Sequence, residues 1–156
     1  GNGRARRYVA DWRVGKGCGR DSGEAFRKGV GAGKVGEVKE HGPGLEDTVE
    51  TLRAAGAWVS LAHPWHYDCT RSKRRKLIGD YIGAGGHAIE VVNGHQPAEQ
   101  VGSLAILARE FGLLVSAGSD FHGPGGWSEI GEYRAVPEDL PLLWGRFKHD
   151  PIIATV

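Results

Sequence analysis

From Pro43 onward, apolar residues with helical spacing alternate along the chain with short, continuous apolar runs. In PGLEDTVETLRAAG, Leu45, Val49 and Leu52 lie at helical spacing, with acidic residues in the first turn and a glycine after the end. The run WVSLAHP that follows has the length of a buried strand, and its proline cannot extend a ladder. These segments predict a helix followed by a short strand.

The same order of elements is predicted twice more. The spacing predicts a helix over 72–82 and a strand over 88–92, then a helix over 97–111 and a strand over 113–120. A further strand near 133–136 and a short helix in PEDLPLLWGRF follow. Helices that alternate with buried strands indicate a parallel α/β fold. Since so few units cannot close an eight-stranded barrel, we expect a small open sheet or part of a barrel.

Residues 1–42 have a different pattern from the rest of the chain. Stretches rich in glycine, arginine and lysine enclose two weakly helical segments, at 4–12 and 23–30. We expect residues 1–42 to form a Gly/Arg-rich arm or inserted subdomain, and residues 43–156 to carry the α/β units.

The composition excludes several classes of protein. The 156 residues include 20 basic and 19 acidic side chains, which gives a net charge of +1, and 40% are apolar. These values are typical of a globular domain that is neither strongly basic nor strongly acidic. No apolar run is long enough to cross a bilayer, so we expect no membrane partner. Two cysteines, Cys18 and Cys69, are too few for a disulfide framework and predict free thiols in the cytoplasm.

Polar side chains follow the predicted strands, at the end where parallel α/β proteins hold their reactive groups. His63 follows the first strand, and Asp120 and His122 end the third. Two residues apart on an extended chain, Asp120 and His122 point to the same side. Together with His63 they form a nitrogen and oxygen ligand set that suits Zn²⁺, Mn²⁺ or Fe²⁺ better than Ca²⁺. Spacing alone leaves a structural alternative open. In it, the histidine hydrogen-bonds a backbone carbonyl and Asp120 caps a turn, and neither binds a metal ion.

Three further features of the sequence are candidates for a role in the site. Glu90 alternates with its apolar neighbours, and it either supports a ligand histidine or, as we favour, forms an ion pair. Trp65, next to the candidate ligand, is a candidate for base stacking. The run RSKRRK, at Arg71–Lys76, is either an RNA-binding surface or, as we favour, a hydrated helix face.

The segments AHPWHYD, GGHAIEVVNGH and LLVSAGSDFHGPGGW, in this order, resemble the later part of the PHP (polymerase and histidinol phosphatase) superfamily. More narrowly, the chain is similar to the branch of nucleoside 3′,5′-bisphosphate phosphatases and 5′→3′ exoribonucleases. This resemblance implies the C-terminal part of a distorted (β/α)₇ barrel, which in the intact family holds two or three divalent metal ions. It also implies that His63, Asp120 and His122 are metal ligands.

The chain departs from the family pattern at several motifs. The family begins with an HxH motif, a TDH-like segment, a glutamate and another histidine, which together supply most of its metal ligands, and none of these is present here. The resemblance therefore implies a fragment that lacks the N-terminal ligands, and the open sheet edges then favour self-association. The GRPH and HPGRY motifs of the branch read GRAR and HPWHY in this chain. By resemblance and charge, the candidate contacts for substrate phosphate are Arg4, Arg6, Lys34 and His66.

The function implied by the resemblance is divalent-metal-dependent hydrolysis of phosphate esters, with a phosphorylated nucleotide or short RNA as substrate. No catalytic residue is assigned. Two alternatives stay open: a noncatalytic PHP remnant, which keeps one weak metal site or acts with a separate N-terminal chain, and a small RNA-binding module that uses Arg71–Lys76. We expect the isolated chain to have weak activity or none.

Overall fold

The computed structural model describes residues 20, 21, 24, 43–123 and 128–147. The chain divides into two compact units, 1–42 and 43–156. In the first unit, the Asp21 carboxylate accepts a hydrogen bond from the Glu24 amide at 2.8 Å, which is a helix-capping arrangement. The helix predicted at 4–12, and all of the one at 23–30 except Glu24, lie outside the described residues. The character of residues 1–42 as an arm or a subdomain stays a prediction.

In the second unit, three parallel strands alternate with helices. The elements are α1 (Leu45–Ala54), β1 (Ser60–Leu61), α2 (Arg71–Gly83), β2 (Ala88–Asn93), α3 (Ala98–Phe111), β3 (Leu114–Gly118) and a 3₁₀ turn (Leu143–Gly145). The strands form one sheet in the order β1-β2-β3, and both pairs are parallel. The predicted parallel α/β architecture is confirmed. None of the described helices is long and apolar enough to span a membrane.

Two predicted elements after β3 are wrong. Residues 133–136 form no strand, and the helix predicted in PEDLPLLWGRF is reduced to the 3₁₀ turn Leu143–Gly145. Pro137 and Pro141 lack amide hydrogens and cannot continue a helix. Instead, this segment contacts β3, where the Val115 amide donates to the Pro141 carbonyl at 2.9 Å. The contact with the sheet therefore replaces helical hydrogen bonds.

The hydrophobic core lies between the sheet and the helices α2 and α3. Ile78 of α2, Leu104 of α3 and Ile89 of β2 are fully buried, and Tyr81 is 1% exposed. Each buried aliphatic side chain of this size stabilises the fold by roughly 1.5–3 kcal/mol. In α1, Val49 is the buried residue. Leu52 is 42% exposed, although the helical spacing predicted it on the same buried face. The reason is that α1 packs mainly against α2, so its buried face is narrow.

The polar face of the sheet is concave. Ser60 of β1 and Ser116 of β3 have hydroxyl oxygens 2.7 Å apart, although β2 lies between their strands. In a flat sheet, strands separated by one neighbour would lie about 9.6 Å apart. Glu90 is the register partner of Ser116, so its side chain shares this concave face. Such curvature agrees with the wall of a partial barrel whose inner face carries polar groups.

Candidate metal and phosphate site

The strands of a parallel sheet end at one edge, and the predicted metal ligands follow two of these ends. His63 comes two residues after β1, and Asp120 comes two residues after β3. These are the two outer strands of the sheet, and β2 lies between them. The concavity at Ser60 and Ser116 nevertheless brings the two outer strands together.

His63 has an unusual backbone and an unsatisfied ring. Its φ of 31° lies in the left-handed region, which is strained for a residue with a Cβ. Its ring stacks on His66, with centroids 5.4 Å apart, and meets the edge of Tyr67 at 5.9 Å. The Nδ1 atom of His63 is buried and has no hydrogen-bond partner among the described residues. Because buried polar atoms are almost always paired, this nitrogen is a candidate for ligand binding.

Glu90 contacts the ends of both outer strands. Its Oε2 accepts hydrogen bonds from the His63 amide at 2.6 Å and from Asn93 Nδ2 at 3.3 Å. A Cβ at position 118 would lie only 3.3 Å from Glu90 Oε1, so a residue without a side chain, Gly118, suits this position. The favoured ion pair is not formed, because no cation of the described residues pairs with Glu90. Burial raises the pKa of the Tyr67 hydroxyl, and the negative charge of Glu90 raises it further.

Asp120 and His122 form the second part of the candidate site. Asp120 has a φ of 54°, and in the described part of the chain His63 and Asp120 are the non-glycine residues with positive φ. The Nδ1 of His122 lies 2.6 Å from the Asp120 carbonyl oxygen. A carbonyl only accepts, so Nδ1 carries the hydrogen and the lone pair of the neutral ring is on Nε2. Histidine ligands in metal sites are held in this tautomer by the same kind of hydrogen bond.

The predicted ligands nevertheless do not form a ready three-ligand site. Across residues 43–123 and 128–147, no three His, Cys, Asp or Glu side chains are arranged to hold a metal ion. The donor atoms themselves fit a divalent metal, because one imidazole nitrogen is unpartnered and the other imidazole has the right tautomer. The described residues therefore fit part of a metal site, with His63 and the Asp120–His122 pair on separate strands.

Sequence analysis assigned no role to two further polar residues at this edge. Asn93 is 1% exposed and Gln96 is 6% exposed, and the atoms Asn93 Oδ1 and Gln96 Nε2 have no partner in the described part of the chain. With His63 Nδ1, these are the buried side-chain atoms without a partner among the described residues, and each lies at the end of β1 or β2 or within three residues after it. Amides directly after a buried strand were the available sequence signal. Unsatisfied polar groups therefore concentrate at the carboxyl edge of the sheet.

Comparison with known proteins gives a consistent group of relatives, although no protein-family model matches the chain. A 5′-3′ exoribonuclease of Haemophilus influenzae is 37% identical over 81% of this chain and 46% of its own length. A 3′,5′-nucleoside bisphosphate phosphatase of Chromobacterium violaceum is 36% identical over 90% of this chain and 50% of its own length. The chain thus spans about half the length of the curated relatives it matches.

Solved structures agree with these relatives. An amidohydrolase of Chromobacterium violaceum, solved with bound sulfate and no metal, matches 89% of this chain and 48% of its own with a TM-score of 0.77 and 34% identity. A metal-dependent phosphoesterase of Bifidobacterium adolescentis matches 92% of this chain and 48% of its own, with a TM-score of 0.69 and 25% identity. The chain is a relative of the PHP phosphoesterases. Its curved parallel sheet is consistent with part of a PHP barrel.

Of the predicted phosphate contacts of this PHP relative, the structure describes one. His66 is exposed, and its amide donates to the His63 carbonyl at 2.9 Å, so the two residues are held in one tight turn. Arg4, Arg6 and Lys34 lie outside the described residues. The role of all four in phosphate binding stays a prediction.

The basic run Arg71–Lys76 is not a uniform exposed cationic face. Arg74 is buried at 7% exposure, and its guanidinium covers one face of the Trp65 ring at 4.3 Å. Arg75 pairs with Glu110, and Lys76 pairs with Asp80 at 2.6 Å. These contacts reduce the cationic surface that an RNA backbone could use, and they leave Trp65 one ring face at most for stacking.

Proposed function

We propose that this chain forms part of a divalent-metal-dependent phosphoesterase of the PHP type, which hydrolyses phosphate esters of nucleotides or short RNA. The names of its relatives, an exoribonuclease and a nucleoside bisphosphate phosphatase, support this substrate class. The observation that carries the proposal is the concentration of buried, unpartnered polar atoms at the carboxyl edge, next to the two strained residues His63 and Asp120.

In this proposal, His63, Asp120 and His122 each contribute a ligand to a centre of two or three Mn²⁺, Zn²⁺ or Fe²⁺ ions. Divalent ions, when bound, act as Lewis acids that acidify water and neutralise charge on phosphoryl oxygens. The Glu90 carboxylate holds the His63 backbone in its left-handed conformation. The Asp120 carbonyl holds the His122 ring in the tautomer that carries its hydrogen on Nδ1.

Substrate phosphate is bound in this proposal by cationic side chains, for which Arg4, Arg6, Lys34 and His66 are the candidates. Because the relatives are about twice as long as this chain, we propose that the remaining metal ligands come from segments equivalent to the HxH and TDH motifs. A cytoplasmic location, which the cysteine content favours, is part of the same proposal.

Metal titration of the purified chain tests the ligand assignment. Co²⁺ is a suitable probe, because its visible absorption reports coordination. We expect His63→Ala and Asp120→Ala each to weaken Co²⁺ binding by about 100-fold or more. The matched control is His95→Ala, since His95 is exposed at the same edge and forms only a 3.4 Å contact with Glu132. Equal Co²⁺ affinity in the wild type and both ligand variants would contradict the assignment.

A second candidate, the noncatalytic PHP remnant, is favoured by the lack of a three-ligand cluster in the described residues. The two candidates differ in turnover. Hydrolysis of a nucleoside 3′,5′-bisphosphate or a short 5′-phosphorylated RNA is measured with excess Mn²⁺, using the chain alone and then mixed with the N-terminal half of a relative. Metal binding without turnover, both for the chain alone and for the mixture, supports the noncatalytic remnant. Turnover that depends on His63 supports the phosphoesterase.

A further inference from the structure

We propose that Arg74 is a positioning residue, which shapes the loop 64–69 and thereby fixes His63 and His66 at the carboxyl edge. This inference rests on the proposed metal and phosphate roles of those two histidines. Arg74 belongs to the basic run that the sequence interpreted as a hydrated face, but it points into the protein and is 7% exposed.

The guanidinium of Arg74 binds backbone carbonyls of one short loop. Its Nε donates to the Pro64 carbonyl at 2.9 Å. Its Nη2 lies 3.4 Å from each of three further carbonyl oxygens, those of Trp65, Tyr67 and Cys69. One cation therefore gathers four carbonyl groups that precede its own helix, and the loop closes around it.

Among the described residues, no carboxylate pairs with this buried charge. Arg74 also lies in the first turn of α2, after the Thr70 cap, where the helix dipole disfavours a cation. A buried charge is stable only where polar groups satisfy it, so the loop carbonyls and the face of Trp65 take that role. Arginine is suited to this function because its planar fork presents five donors, while lysine is a single point charge.

The loop transmits this order to the candidate ligands. The His66 amide donates to the His63 carbonyl at 2.9 Å, and the Tyr67 hydroxyl donates to the Ala62 carbonyl at 3.0 Å. Both bonds run from the loop back to the two residues that follow β1. Because the carbonyls of the loop are held by Arg74, loss of the guanidinium releases the turn that holds the two histidine rings in contact.

The test measures loop order and metal coordination separately. Cys69 is a free thiol inside the loop, and a Cys18→Ser background leaves it as the chain's one thiol. We compare Arg74→Met, Arg74→Lys and the matched control Arg75→Met, which removes an exposed cation from the next position of the same helix. The readouts are the alkylation rate of Cys69 with iodoacetamide, the visible spectrum and affinity of bound Co²⁺, and the thermal midpoint.

Arg74→Met is expected to raise the Cys69 alkylation rate by about tenfold, because the loop opens locally. It is also expected to weaken Co²⁺ binding by about tenfold and to alter the cobalt spectrum. Arg74→Lys, which keeps the charge, is expected to fold and to show the same changes in part, while Arg75→Met shows neither.

Arg74→Met or Arg74→Lys with a wild-type alkylation rate and cobalt spectrum overturns the proposal. If Arg74→Met does not fold, Arg74→Lys alone decides in the same way. Failure of the proposed function is distinguishable from this result: in that case His63→Ala leaves Co²⁺ binding unchanged, while the Cys69 rate still reports whether Arg74 orders the loop.

Discussion

Two histidines at opposite edges of the sheet show how one residue type serves two purposes. At the amino edge, His87 precedes β2, and its Nδ1 accepts a hydrogen bond from the Val59 amide at 3.0 Å. The ring packs against Trp58 with centroids 4.7 Å apart. Nearby, the Tyr81 hydroxyl lies 2.7 Å from the Val59 carbonyl oxygen and 2.9 Å from that of Ala88. Polar groups at this edge therefore satisfy one another, and their role is to hold the strands together.

At the carboxyl edge, His63 has the opposite environment. Its Nδ1 is buried without a partner in the described residues, as are atoms of Asn93 and Gln96, and its backbone is strained. Folding alone gives no benefit from such an arrangement, since an unsatisfied buried polar group costs about 1–3 kcal/mol. The difference between the two edges supports the proposal that the amino edge serves stability and the carboxyl edge serves binding. Variants at the two edges should therefore separate the two properties.

The largest expected effect on stability is at the amino edge. A Cβ on Gly86 would lie 2.1 Å from Cζ of Tyr81, and the hydroxyl bonds of that tyrosine keep its ring in place. We expect Gly86→Ala to lower the free energy of unfolding by about 3 kcal/mol. Urea denaturation measures this loss. The folded variant should bind Co²⁺ as the wild type does, and weaker binding would contradict the separation of the two edges.

The matched control for this variant is Gly79→Ala. Gly79 lies inside α2, and a Cβ there meets nothing within 4 Å. Because alanine loses less backbone entropy than glycine in a helix, we expect a gain of about 0.5–1 kcal/mol. Equal losses in both variants would show that the Tyr81 contact is not the cause.

At the carboxyl edge, a smaller effect is expected, and it is on metal binding and not on stability. Glu90→Gln removes a negative charge but keeps an oxygen that can accept from the His63 amide. We expect Co²⁺ affinity to fall by about tenfold, which corresponds to about 1.4 kcal/mol, with little change in stability. Calorimetric titration and thermal melting give the two values. Glu132→Gln, which changes an exposed carboxylate, is the control. Lower stability with unchanged Co²⁺ affinity would assign Glu90 to the fold.

Tyr81→Phe gives a still smaller loss at the amino edge. The Val59 carbonyl keeps its bonds from the amides of His87 and Ala88, so only the contribution of the hydroxyl is lost. We expect the free energy of unfolding to fall by about 1 kcal/mol, measured by urea denaturation, with Co²⁺ affinity unchanged. A stability equal to that of the wild type would show that the hydroxyl does not hold the two strands.

The long elements could be predicted from the sequence, and the short ones could not. The helices Arg71–Gly83 and Ala98–Phe111 lie within two residues of their predicted bounds, because apolar periodicity and the end signals agree there. The strand β1 has two residues where a longer run was predicted, since the left-handed turn at His63 ends it. The prediction for the segment after β3 was wrong, because this segment is shaped by a tertiary contact with the sheet. That contact, made through the Pro141 carbonyl, leaves no periodic signal in the sequence.

For the candidate site, sequence could indicate residue types but not their partners. The spacing of Asp120 and His122 predicted a pair, and the carbonyl bond that orients His122 became visible only in the structure. The burial of Arg74 was missed, because one inward-facing arginine within six mostly charged residues does not alter the pattern. The expectation of an ion pair at Glu90 was wrong for a related reason: its partner is a backbone amide, which every sequence position offers equally.

The smallest expected effect is the pH dependence contributed by His87. Burial lowers the pKa of His87 below its usual 6.5, and the positive charge of Arg53 lowers it further. Between that lowered pKa and about 6.5, the His87 ring binds more protons in the unfolded chain than in the folded one. The contribution of His87 to stability is therefore fully present above about pH 6.5 and is lost as the pH falls. His87→Asn keeps an acceptor for the Val59 amide but does not titrate. We expect thermal midpoints measured between about pH 7 and pH 5 to fall more in the wild type than in this variant. Parallel curves would show that the His87 ring is as free to take up a proton in the folded protein as in the unfolded chain, which would contradict the lowered pKa of His87.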